Sequence, residues 1–109
     1  MRKAAVYRNG IFVGVLTEEN LKSYVFRYDE NYFADKEKPA LSLTMPKTKQ
    51  EYHNSYLFPV FFNMLSEGEN KRLQSMQLKI DERDSFGLLM ATAQYDTIGP
   101  ITVKPLEEK

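Results

Sequence analysis

The stretch Ala4-Ala-Val-Tyr-Arg-Asn-Gly-Ile-Phe-Val-Gly-Val-Leu16 decides the fold. Two β-rich runs, Ala4–Tyr7 and Ile11–Leu16, flank Asn9-Gly10, and both of these residues tolerate the positive φ of a tight two-residue turn. The pattern therefore predicts an antiparallel hairpin. Gly14 interrupts the second run, which marks a bulge or a close approach of another backbone. A polar turn at Thr17–Asn20 leads to a third predicted strand over 21–28. There Tyr24, Phe26 and Tyr28 share one face and Val25 and Arg27 the other. The three strands form a meander.

Downstream the period changes. Residues 29–35 suit one or two helical turns with Asp29 as N-cap, ended by Lys36-Glu-Lys-Pro39, because a residue before proline is pushed out of the α region. Ala40–Met45 alternates with period two, which predicts a strand with Leu41 and Leu43 opposite Ser42 and Thr44. Residues 47–56 are polar and read as a loop. Leu57–Leu65 is the most apolar window. With Pro59 in its first turn and Phe58, Phe61, Phe62 and Leu65 at helical spacing, it predicts a buried helix closed at Ser66-Glu-Gly68, with Gly68 at C′. A more polar helix follows over 69–78, with Leu73, Met76 and Leu78 turned inward. Asp84 or Ser85 caps a third, whose inward positions are Phe86, Leu89, Met90 and Ala93. Asp96–Pro100 turns into a last strand, 101–103. The expectation is one α+β domain over residues 1–109, an antiparallel meander sheet packed with two to three short helices.

Composition narrows the function classes. The 109 residues hold 42% hydrophobic side chains and 14 aromatics, enough for one core. Fifteen Lys and Arg balance fifteen Asp and Glu, a poor basis for neutralising phosphates, so direct nucleic-acid binding is not expected. The absence of cysteine removes disulfides, thiolate nucleophiles and Cys-based metal sites and suits a cytoplasmic location. No run reaches the ~20 apolar residues of a membrane span, and the N-terminus has no signal-peptide core. His53 has no second His or Cys, so no metal set forms around it. No glycine-rich phosphate loop occurs and no serine stands in a nucleophile elbow. Asp81, Glu82 and Asp84 lie among Lys79 and Arg83 and read as a solvated turn. No catalytic residue, cofactor or metal site is expected.

The residue order then becomes specific. Asn9-Gly-Ile-Phe-Val-Gly-Val-Leu16 carries a G-x-x-V-G-x-L pattern, and Phe26-Arg-Tyr28 is followed by Tyr32. Pro39-Ala-Leu-Ser-Leu-Thr-Met-Pro46 is similar to P-L-S-L-S-L-P. Phe61-Phe-Asn-Met-Leu-Ser-Glu-Gly68 matches F-F-x-N-L-L-P-E-G with one residue fewer before Asn63, and Ser66 in place of proline. Asp84-Ser-Phe-Gly-Leu-Leu89 matches D-x-F-D-L-L, and Gly99-Pro-Ile-Thr-Val103 matches G-A-V-T-V. Six such blocks in order make the chain resemble, over about residues 3–106, the N-terminal subdomain of HipA-type serine/threonine kinases, the toxins of bacterial toxin–antitoxin operons.

That resemblance implies fold and association rather than activity. The glycine-rich loop, catalytic aspartate and metal-binding residues of these kinases lie beyond the matched region, and none is carried over. Stand-alone versions of the subdomain (HipS-like) accompany a shortened kinase and a HipB-like helix-turn-helix protein in three-gene systems, where the short protein acts as antitoxin. By resemblance the expected partner is a HipA-like kinase that the chain restrains. The alternatives are a co-repressor bridging a HipB-like DNA-binding partner and an activating subunit of a split kinase. Glu107-Glu-Lys109 reads as a natural soluble terminus. The candidate contact residues are Met64, Ser66, Glu67 and Glu69 at the turn, with Tyr52, Tyr56 and Phe58 beside it, since a loop leaving a rigid helix and exposed aromatics make good anchors.

Overall fold

The computed structural model describes residues 2–20, 22–65, 68–81, 83–92 and 100–106, with the side chains of 68–71, 74 and 92 outside that description. Asn9 and Gly10 adopt φ of +52° and +79°, the pair of left-handed residues that a type I′ turn demands. β1 (Arg2–Arg8) accordingly folds back on β2 (Ile11–Asn20). Their register runs Arg8↔Ile11 and Tyr7↔Phe12 and then jumps to Val6↔Gly14. Val13 is thus the extra residue of a bulge, and its carbonyl accepts from Asp29 N–H at 2.8 Å. Gly14 meets the second expectation too: a Cβ there would lie 2.2 Å from the Arg27 carbonyl oxygen. No side chain fits.

β3 (Ser23–Tyr28) continues the meander, and β5 (Ile101–Leu106) returns to pair with β1. The polar segment expected as a loop contributes a strand of its own, β4 (Glu51–Asn54), paired with β3 through Tyr24↔Asn54 to Arg27↔Glu51. An edge strand can be this polar because only one of its sides joins the ladder. The sheet is antiparallel throughout, in the order β4-β3-β2-β1-β5.

Four short helices join it among the described residues. α1 (Glu30–Ala34) is capped as expected, Asp29 accepting from Tyr32 N–H at 3.3 Å. α2 (Pro59–Phe62) is a single turn with proline at its start. It continues only as tight three-residue turns, Met64 N–H to Phe61 O and Leu65 N–H to Phe62 O, each 3.1 Å. Phe58 and Phe61 are buried as the spacing required, whereas Phe62 is half exposed. α3 (Gly68–Leu78) begins at the glycine expected to close the preceding helix. Its orientation also differs from expectation: Leu73, Met76 and Leu78 are exposed, and among its described side chains Ser75 is the buried one. α4 (Ser85–Thr92) buries Phe86, Leu88 and Leu89. Ala93 and the turn at 96–99 lie outside the described residues.

The core lies on one side of the sheet. Ala4, Val6, Leu16, Phe26, Tyr28 and Val103 from the strands meet Tyr32 of α1, Phe61 of α2, and Phe86 and Leu89 of α4 in one apolar cluster. Phe26 packs edge-on against Tyr28, with ring centroids 5.0 Å apart, and Phe61 sits 5.9 Å from Phe26. Ala40–Met45 is not a strand. Leu41 and Met45 enter the core, Leu43 is wholly exposed, and a single bridge joins Ser42 to Met45 across a tight turn. Hydrogen bonds from the hydroxyls of Tyr28, Tyr32 and Tyr52 overrode the local alternation.

Candidate protein-interaction surface

Leaving β4, the chain runs through Ser55-Tyr56-Leu57-Phe58 into α2. Pro59 presets the first helical turn, and Leu57 and Phe58 are drawn into the same core cluster as Phe61. With Leu57 and Phe58 anchored behind it, Tyr56 is left 76% exposed, and Phe62 is 48% exposed. Together with Tyr24, Leu57, Arg83 and Ser85 they line a shallow groove of about 230 Å³. Its wall is aromatic, and its rim carries the exposed guanidinium of Arg83, which approaches Asp81 only to 3.5 Å.

A polar network lies beneath. Tyr24 donates to Glu18 Oε2 at 3.1 Å, and Glu18 accepts from Arg2 Nε at 2.8 Å. Arg2 also holds Asp84 through both oxygens, Nη1–Oδ2 at 3.0 Å and Nη2–Oδ1 at 2.7 Å. Glu18 is buried, so Arg2 supplies the counter-charge that a buried carboxylate requires. The hydrogen bond from Arg2 is the main reason the Asp84 carboxyl lies below its ordinary range, and Asp84 in turn holds the Arg2 guanidinium charged. Burial, then the hydrogen bond to Glu18, pushes the Tyr24 hydroxyl up. Asp84 also caps α4, its Oδ1 accepting from Gly87 N–H at 3.1 Å. Capping by Asp84 follows the spacing of the sequence; its capture by Arg2 does not, because the two stand 82 positions apart. A Cβ at Gly87 would come within 2.3 Å of Asp84 Oδ2, so glycine makes room for this pairing where the kinase pattern carries aspartate. Asp84 is a cross-layer ion pair and not part of a solvated turn.

The described candidate contact residues do not gather at one place. Tyr56 stands on the groove. Phe58 is 5% exposed and faces Phe61 edge-on at 6.4 Å, which makes it a packing residue that positions its neighbours. Tyr52, on β4, is half-buried and donates to Pro46 O at 2.5 Å. Met64 is half-buried against the core. Ser66 and Glu67 lie outside the described residues; Glu69 falls within α3, but its side chain also lies outside the description. Phe62 and Arg83 join the surface although the sequence placed one in the core and the other in a turn. Only exposure in the folded chain separates Phe62 from its helical neighbours.

Catalytic groupings do not emerge from the described residues. No three His, Asp or Glu side chains among them converge on a point that could hold a metal. His53 is exposed on β4, 3.5 Å from Glu51. No described helix is long and apolar enough to cross a membrane.

Comparison with known proteins agrees with this architecture. A solved structure of the N-terminal domain of HipA toxin superposes with a TM-score of 0.74 at 28% identity, covering 100% of this chain and 96% of that one. An uncharacterised protein of Haemophilus influenzae is 29% identical over 109 residues, spanning 100% of this chain and 95% of its own length. The model of the HipA N-terminal domain family matches residues 4–104. With all but the outer ends of β1 and β5, the capping aspartates and the aromatic blocks falling inside that match, the chain belongs to the HipA N-terminal domain family.

Proposed function

We propose that this chain is a non-catalytic binding domain that docks on a HipA-like serine/threonine kinase and restrains it. The observation that carries the reading is the likeness to the N-terminal domain of HipA toxin, which extends over the whole chain and nearly the whole of that domain. A domain that shares its fold with the non-kinase part of a kinase retains the means to pack against one. The surface chemistry is compatible with this: Tyr56 and Phe62 are large, stiff side chains that lose little entropy on docking, set beside an exposed arginine, a combination enriched at protein interfaces. Restraint needs only that the bound kinase favour an inactive arrangement, which differential affinity for its two states supplies.

Affinity capture from the native host followed by phosphotransfer assay tests both halves of the proposal. A HipA-type kinase should be recovered with the tagged chain, and its activity should fall as purified chain is added back. Recovery of a helix-turn-helix protein without a kinase would replace this reading with the co-repressor one. A rise in activity would replace restraint with activation.

A further inference from the structure

The two edges of the sheet differ in what they leave open. Tyr28 N–H donates to Gln50 O at 2.8 Å, which sets the parity of the ladder between β3 and β4. Tyr52 and Asn54, opposite Phe26 and Tyr24, therefore turn their backbone groups toward β3. Because the direction alternates along an antiparallel strand, the N–H and C=O groups of Glu51 and His53 point away from the sheet. No described residue bonds them there. On β5 the bond from Asn9 N–H to Pro100 O, 2.9 Å, sets Thr102 and Lys104 toward β1 and leaves Ile101, Val103 and Pro105 facing outward. Pro105 has no N–H, so that edge cannot carry a continuous ladder. β4 is the open edge.

This edge is complementary to itself. When two copies of β4 meet antiparallel about a two-fold axis at Tyr52, Glu51 of each stands opposite His53 of the other. Four N–H···O bonds then close between the outward groups of these residues. Glu51 and His53 share one sheet face, across from Arg27 and Val25 of β3. Their side chains are 44% and 61% exposed and lie 3.5 Å apart within the strand. Pairing extends that single contact into a square of alternating acid and base, with Arg27 beside Glu51 in the same row. On the other face the two Tyr52 rings meet as a non-hydrogen-bonded pair, the closest kind of cross-strand neighbour. Each ring is already held by its bond to Pro46 O at 2.5 Å and by Lys49 Nζ at 5.4 Å. Register is selected as well. A slip of one residue misaligns the outward groups, and the next permitted registers put Glu51 opposite Glu51 or His53 opposite His53. We infer that β4 is a homodimerisation edge, at which a second copy of this chain joins two five-stranded sheets into one of ten strands. The inference goes beyond docking on a kinase and does not depend on it.

Sedimentation equilibrium of the purified chain tests this. So narrow a contact suits a weak, reversible dimer that forms over about 10 μM to 1 mM. Glu51→Lys sets two bases opposite each other and His53→Glu two acids, so each alone should weaken association about tenfold or more. An equimolar mixture of the two variants should recover the wild-type affinity, because each altered side chain then faces one of opposite sign; a misfolded variant could not give that recovery. His53→Pro removes an outward N–H without touching the β3 ladder and should abolish the dimer while leaving the melting temperature within a few degrees of wild type. A chain that stays monomeric over the whole range would overturn the inference. So would a dimer that all three variants leave unchanged, which would move the contact to another surface, such as the pocket beside Phe12 and Val15. Weakening by both charge variants with no recovery in the mixture would overturn the Glu51–His53 register. None of these results bears on kinase docking, which affinity capture reads separately.

Discussion

Gly10 and Gly14 stand on the same strand pair, and each excludes a side chain for a different reason. At Gly10 there is open space around the missing Cβ, but φ is +79°, which L-residues adopt only at a cost. At Gly14 the backbone is ordinary, and the obstacle is the Arg27 carbonyl oxygen 2.2 Å from where a Cβ would stand. Gly10→Ala should lower the unfolding free energy by about 1 kcal/mol, the conformational term alone. Gly14→Ala should cost more, about 2–3 kcal/mol, since backbone on the neighbouring strand must move to relieve an overpacked contact. Urea unfolding of both variants checks the order; equal losses would mean that β3 yields freely at Arg27. Gly10 was legible in sequence, because Asn-Gly between β-rich runs has few other uses. Gly14 was legible only as a choice between bulge and close approach, and the structure contains both.

Helix α3 shows what periodicity leaves open. Leu73 and Met76 recur at helical spacing, but spacing does not reveal whether another element lies over that stripe. Here Leu73 is 53% and Met76 66% exposed, and among the described side chains the buried one is Ser75, whose hydroxyl donates to Arg72 O at 2.8 Å. The double substitution Leu73→Gln with Met76→Gln should therefore change stability by no more than about 0.5 kcal/mol, the range of surface positions. A loss of several kcal/mol on thermal unfolding would show that both side chains are core. The segments at 40–45 and 51–54 were misread for a related reason. Alternation at Leu41 and Leu43 mimicked a strand, but the bonds that bend the segment come from Tyr28, Tyr32 and Tyr52, which no local window contains. Glu51–Asn54 is a strand through pairing with β3 rather than through its own apolar pattern. Of the interaction surface, Tyr56 was legible as a polar-loop aromatic beside an apolar helix. Phe62 was not, because it obeys a core-like pattern and yet stands half exposed on the groove.

Across the whole molecule, Arg2 ties the sheet to the helical layer. Its guanidinium links Glu18 on β2 to Asp84 at the head of α4 and lies 5.1 Å from the Phe86 ring. The Asp84 carboxyl has a folded-state value below its ordinary 3.8, chiefly through the Arg2 hydrogen bond. A depressed carboxylate contributes stability that is complete above its unfolded value and disappears as pH falls through the folded one. Asp84→Asn isolates this contribution, since asparagine keeps the capping oxygen for Gly87 N–H but carries no charge. At pH 7 the variant should be less stable by about 1 kcal/mol, a figure kept small because Arg2 and Asp84 side chains are 36% and 30% exposed and water screens them. The gap between wild type and variant should persist down to about pH 5, narrow as pH falls through the ordinary carboxylate value, and close at still lower pH as Asp84 becomes protonated in the folded chain. Carboxylates that touch neither Arg2 nor Asp84 titrate equally in both proteins, so the difference between two urea-unfolding series reports the Arg2–Asp84 pair and its immediate neighbours. A gap constant from pH 7 to pH 2 would mean that the charge is immaterial and that the substituted amide simply fits worse. A gap that closes would establish that one arginine at the start of the chain sets the acid stability of the contact between sheet and helices, the same contact that supports the Tyr24 wall of the groove.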